Sequence, residues 1–103
     1  MKNTIGARVA GDADKWDNYQ TWRVWVDVIT DLDAGTLRNE LRGLEIEEAG
    51  RVLERYARAQ IWPDGYESHS TIVRSWAAAF LIPVEWEAMA AVVMDAVNVE
   101  AVQ

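Results

Sequence analysis

Apolar side chains recur along this chain every three or four residues in five stretches separated by turn-forming residues. That spacing is the period of helices buried on one side. The first stretch runs from Asn18 to about Leu32 and holds Tyr19, Trp22, Val24, Trp25, Val26, Val28, Ile29 and Leu32. Its polar residues Gln20, Arg23, Asp27, Thr30 and Asp31 fall on one narrow face, so the helix should be buried on most sides. Asn18 suits the N-cap, where a side-chain oxygen accepts an orphan backbone N–H. The β-branched residues also permit a strand, but alternation fails at Val24-Trp25-Val26 and the run is too long for one.

After a turn at Asp33-Ala34-Gly35, Thr36 is expected to cap a short helix to about Arg42, with Leu37 and Leu41 one turn apart and Gly43 ending it. The third helix spans about Glu45 to Ile61. Ile46, Ala49, Val52, Leu53, Tyr56, Ala57 and Ile61 form its inner face. Glu47, Arg51, Glu54, Arg55 and Arg58 lie opposite and read as a solvated face with two i,i+4 ion pairs. Trp62-Pro63-Asp64-Gly65 is a turn. Ser68 or Ser70 then caps a fourth helix to about Leu81, with Ile72, Val73, Trp76, Ala77 and Phe80 expected in the core. Pro83 fits the first turn of a fifth helix, with Glu85 and Glu87 beside its positive end. Trp86, Met89, Ala90, Val93, Met94 and Val97 make that helix's apolar stripe. The fold class is therefore all-α: a single domain of about five helices around a tryptophan-rich N-terminal helix. Residues 16–103 form the domain, and residues 1–15, without a clear period, form a flexible or loosely docked arm.

Charge refines this picture. The chain has 103 residues and a net charge of −7. Residues 1–58 carry 11 acids against 9 bases, whereas residues 59–103 carry 6 acids against one base, Arg74. Such a surface repels phosphate backbones, which argues against direct binding to nucleic acid or anionic lipid and suits a basic protein partner. With no cysteine, no apolar leader in the first eleven residues and no apolar run beyond Trp76–Val84, a soluble protein of a reducing cytoplasm is expected.

Candidate chemistry is sparse. His69, the single histidine, has Asp64 and Glu67 nearby in sequence but no nucleophile motif, and a surface or capping role explains it better. Asp12, Asp14 and Asp17 lack the glycine and terminal glutamate of a calcium loop. There is no glycine-rich phosphate loop. Neither catalysis, a metal nor a cofactor is expected. Six tryptophans remain. Trp22, Trp25, Trp76 and Trp86 stand at core spacing. Trp16 and Trp62 lie outside the regular helices; either packs over a helix end or stands as an exposed anchor for a partner, and Tyr66 in the same loop makes Trp62 the better anchor of the two.

Asp17-Asn18-Tyr19-Gln20-Thr21-Trp22-Arg23-Val24-Trp25-Val26-Asp27 resembles the N-Y-E-T-W-x-V-x-L-W-I-D opening of small proteins found in bacteriophages, archaeal viruses and plasmids, most without an assigned activity. Val84-Glu85-Trp86-Glu87-Ala88-Met89-Ala90 is similar to the V-x-W-x-E-I-A closing helix of the same group. Gln20 replaces the usual Glu, and Ala88-Met89 the usual Glu-Ile. The two segments bracket residues 17–90. The resemblance implies an accessory protein of a mobile element that binds a host defence protein, anti-CRISPR or anti-restriction in type, by presenting an acidic surface to a basic nucleic-acid-binding site. Asp64, Glu67, Glu85, Glu87 and Asp95 are the expected contact acids, with Trp62 and Tyr66 as anchors. The alternative is a structural or assembly module of a phage, or an oligomerisation module, and a homodimer fits either reading.

Overall fold

The computed structural model describes residues 3–9, 16–65 and 69–99, and these form an all-α fold of six helices with no strand among them. The helices are α1 (Ile5–Arg8), α2 (Tyr19–Asp27), α3 (Ala34–Leu41), α4 (Ile46–Ile61), α5 (Thr71–Leu81) and α6 (Trp86–Ala96). The most extensive helix pairing is α4 on α6. Ala49, Val52, Leu53 and Ala57 of α4 and Met89, Ala90 and Val93 of α6, with Val97 at the C-cap of α6, are all buried in the core. Gly50 makes the approach possible: a Cβ there would stand 3.3 Å from the Trp86 backbone carbonyl carbon and 3.3 Å from its Cβ. A glycine inside a helix costs about 1 kcal/mol relative to alanine, and here close packing offsets that cost.

Local capping follows the sequence in most places. Asn18 Oδ1 accepts from the Thr21 N–H at 2.8 Å, and Ser70 Oγ accepts from the Val73 N–H at 3.2 Å. Glu45 and Glu48 close a capping box at the start of α4. Three boundaries differ from expectation. The first helix stops at Asp27 and tightens into a 3₁₀ turn, Ile29–Asp31. Thr30 Oγ1 donates to the Val26 carbonyl at 2.8 Å there, a side-chain bond that competes with continuation of the helix. The cap of α3 is Asp33 rather than Thr36, because Asp33 Oδ2 accepts both the Thr36 N–H at 2.8 Å and the Thr36 hydroxyl at 3.0 Å. These bonds, the backbone N–H first, hold the Asp33 carboxyl below its ordinary pKa. Pro83 precedes α6 instead of entering its first turn, and Glu85 occupies the N-cap.

The expected arm is docked where it is described. Ile5 is fully buried, and α1 is a sixth helix that the aperiodic sequence did not announce. The Ile5 N–H donates to the Leu32 carbonyl at 2.9 Å and the Ala34 N–H to the Asn3 carbonyl at 2.7 Å, forming one antiparallel bridge between Thr4 and Asp33. Arg8 Nη1 donates to the Ala96 carbonyl at 3.3 Å, placing a cation at the negative end of α6. Residues 10–15 lie outside the described residues.

Trp25 occupies the core and stacks at a tilt on half-buried Trp16, ring centroids 4.9 Å apart. The expectation for Trp76 is overturned, because it is 75% exposed. Ile72 and Val73, also expected in the core, are 61% and 48% exposed. α5 meets the rest of the protein through Ala77, Phe80 and Leu81 near its C-terminal end, and its axis makes a 67° bend with that of α6. No single helix is long and apolar enough to cross a membrane.

Candidate protein-binding surfaces

The N-terminal turn of α2 and the entry to α6 meet in space. Asn18 Nδ2 donates to the Pro83 carbonyl at 2.9 Å. The buried Thr21 hydroxyl accepts from the Glu85 N–H at 3.0 Å. The N-terminal turn of α2 thus holds the entry to α6, the turn on which Glu85, Trp86 and Glu87 stand. Thr21 occupies the position of a capping-box glutamate, but it uses its side chain between helices rather than within its own.

Below that clamp, α4 and the start of α6 enclose an open groove of about 700 Å³. Glu47, Gly50, Arg51 and Glu54 line one wall, and Val84, Glu85, Trp86, Glu87 and Ala88 the other. Positions 47, 50, 51 and 54 share one face of α4 because they step by three and four residues. Four glutamates and one arginine therefore line this cleft. Glu54 accepts from Arg58 Nε at 2.8 Å on its outer side, whereas Glu47 and Arg51 do not close into the expected ion pair. Arg58 also lies over the Trp62 indole, 5.7 Å from the ring centroid.

Of the residues singled out from sequence, Glu85 and Glu87 are brought together in this groove. Asp64 and Asp95 are exposed but lie outside its lining. Tyr66 and Glu67 lie outside the described residues. Trp62 is not an exposed anchor. It caps the C-terminus of α4, its N–H donates to the Arg58 carbonyl at 2.8 Å, and its side chain is buried in the core. Proline at 63 ends the helix, and the chain turns the indole inward at that point. Sequence reasoning missed Glu47 and Glu54 because it assigned them to a solvated face. Gly50 was the available signal: a helix-weakening residue between them marks where another backbone approaches.

His69 is half-buried, and its Nε2 makes no hydrogen bond among the described residues. No group of three or more His, Cys, Asp or Glu among the described residues has the arrangement to hold a metal ion.

A second surface is apolar. Ile72, Val73 and Trp76 form a stripe along the outer side of α5 that continues through Phe80 to Tyr19, whose ring meets Phe80 edge-on with centroids 6.3 Å apart. Beside it runs a groove of about 660 Å³ between α2, the end of α4 and α5, lined by Val24, Val28, Ile61, Ala77 and Phe80, with Arg23 and Asp27 at its rim. Those two close an ion pair at 2.7 Å. In comparisons with known proteins, no family model, curated protein or solved structure matches this chain.

Proposed function

We propose that this chain is a non-catalytic accessory protein that occupies a basic, nucleic-acid-binding site on a host defence protein, anti-CRISPR or anti-restriction in type. The observation that supports the reading is the lining of one groove by Glu47, Glu54, Glu85 and Glu87. A cleft lined by one sign of charge focuses its field outward and steers an oppositely charged partner. Carboxylates presented there occupy the lysines and arginines that otherwise hold phosphates. Arg51, and Arg58 beside Glu54, make this a local acidic contact rather than a mimic of a whole duplex. The resemblance to small proteins of phages, archaeal viruses and plasmids supports the host context. Asp64, Glu67, Asp95 and Tyr66 are secondary contact positions, and buried Trp62 leaves the set.

The test pairs capture from host lysate with an interference assay. The wild-type protein is expected to retain a DNA- or RNA-binding effector and to inhibit it, with binding that weakens as salt rises. Glu85→Lys with Glu87→Lys, folded by circular dichroism, is expected to lose at least about tenfold in affinity, as follows when two rim or groove charges are reversed. An eluate free of nucleic-acid-binding effectors removes the proposal. Inhibition that survives the double reversal removes the groove from it.

A further inference from the structure

Among the described residues, the outer face of α5 carries three of the five exposed large apolar side chains. Trp76, Ile72 and Val73 stand on one side of the helix, 75%, 61% and 48% exposed, and Tyr19 is 59% exposed at the end of the stripe. Together they expose roughly 500 Å² of mostly apolar surface, taking up to about 250 Å² for a whole aromatic side chain. A monomer's largest apolar patch is about 300–600 Å², and each side of a stable complex buries about 800 Å². These four side chains therefore supply more than half of the area that one side of a standard interface buries.

We infer that this face binds a second copy of the same chain, α5 against α5, as a two-fold symmetric dimer. Two observations select that occupant. The first is charge. In a chain of net charge −7, no acid occurs from Ser68 to Val84, and the only formal charge within α5 is Arg74. Two acidic copies repel over most of their surface, whereas on this face the carboxylate at the groove rim, Asp27, is held in its ion pair with Arg23. The second is shape. The projecting Trp76 lies next to an apolar groove of about 660 Å³ lined by Tyr19, Val24, Val28, Ala77 and Phe80. A knob and a hollow side by side on one surface are self-complementary. A two-fold axis between them seats each Trp76 in the other copy's groove and uses the contact twice. Exposed Ala79, on the same side of the helix, leaves room for close approach.

The experiment is sedimentation velocity of the full chain from about 1 µM to 1 mM, a range that brackets affinities of ordinary transient and stable dimers. It is run at low and high salt on wild type, Trp76→Glu and Ile72→Asp. The wild type is expected to approach twice the 11.6 kDa of the chain. Each variant, with unchanged helicity because both positions are exposed, is expected to raise the dimer dissociation constant by at least about 30-fold, the loss typical of a central anchor. Salt is expected to strengthen the dimer by screening like charges, opposite to its effect on a basic partner at the acidic groove. The two readings can therefore fail separately. A wild type that stays at 11.6 kDa throughout overturns the dimer, as does a dimer unaffected by both substitutions. A monomer that floats with phosphatidylcholine vesicles assigns the face to lipid and overturns it too.

Discussion

The clamp between α2 and α6 is the contact on which the proposed acidic groove depends, and Thr21→Val isolates it. Valine keeps the shape of threonine and removes the hydroxyl that accepts the Glu85 N–H at 3.0 Å. Thr21 is fully buried, so water does not replace that acceptor freely. Leaving a buried donor unmet costs about 1–3 kcal/mol. The Glu85 end is only partly buried, which places the loss near the lower half of that range, about 1.5 kcal/mol. For a domain near this size, that lowers the melting temperature by roughly 6–12 °C. Asn18→Ala removes both a helix cap worth about 1 kcal/mol and the Pro83 tie, worth about 0.5 kcal/mol where exposed. Asn18→Ser retains the cap but is too short to reach Pro83, and should lose only the smaller part. Because both side chains hold residues 83–85, the Asn18→Ala/Thr21→Val pair should lose less than the sum of the single changes. Urea unfolding followed by tryptophan fluorescence measures all four variants, with an unchanged slope expected. A Thr21→Val protein within about 0.3 kcal/mol of wild type, inside the ordinary scatter of surface substitutions, refutes the clamp. The same variant retains every charge of the groove. If the groove binds a basic partner, Thr21→Val should weaken binding solely by loosening the Glu85–Glu87 turn.

Three further outcomes follow from burial, close approach and titration. Trp25→Ala should destabilise by about 3–5 kcal/mol in the same urea assay, while Trp76→Ala, at an exposed position, should stay within about 0.5 kcal/mol under monomeric conditions. Gly50→Ala gains about 1 kcal/mol of helix propensity but drives a methyl to 3.3 Å from the Trp86 backbone, and overpacking of about 1–3 kcal/mol should make the variant less stable overall, read as a lower urea midpoint. Burial first, then the 2.6 Å bond its hydroxyl donates to Glu40, pushes Tyr56 up to about 12 from 10.0. The raised value favours the folded state fully below pH 10. That contribution is lost as pH rises from 10 to about 12, so phenolate absorbance should show a late-titrating tyrosine that Tyr56→Phe abolishes.

The proposed groove and the proposed dimer face have different physical origins. The groove is polar and ordered by hydrogen bonds from α2. The α5 face is apolar, and only the end of its helix rests on the core. Reading the chain as both an inhibitor and a self-associating module requires no conflict between the two, because the groove lining and the apolar stripe share no residue.

The sequence by itself determined the all-α class, the inner faces of α4 and α6, and the cap at Asn18, and it narrowed the cap of α5 to Ser68 or Ser70, of which the structure uses Ser70. These are local matters: a repeat of 3.6 residues and a side chain one turn from an orphan N–H are visible within a few residues of sequence. Charge and placement at a helix start marked Glu85 and Glu87, but not their companions Glu47 and Glu54, which come from a helix more than thirty positions away. The α5 face shows where local information ends. Its eleven residues include only Thr71, Arg74 and Ser75 as polar positions, so the pattern allows burial on several sides and cannot select one. The turn at Ile82–Val84 and the 67° bend into α6 make that selection, turning Ala77 and Leu81 inward and leaving Trp76 outside. Trp62 was decided in the opposite direction, since the end of α4 carried a residue from an apparent loop into the core. A tryptophan in a helical period states that apolar area must be covered; the long-range path of the backbone decides whether this chain covers it or leaves it for another.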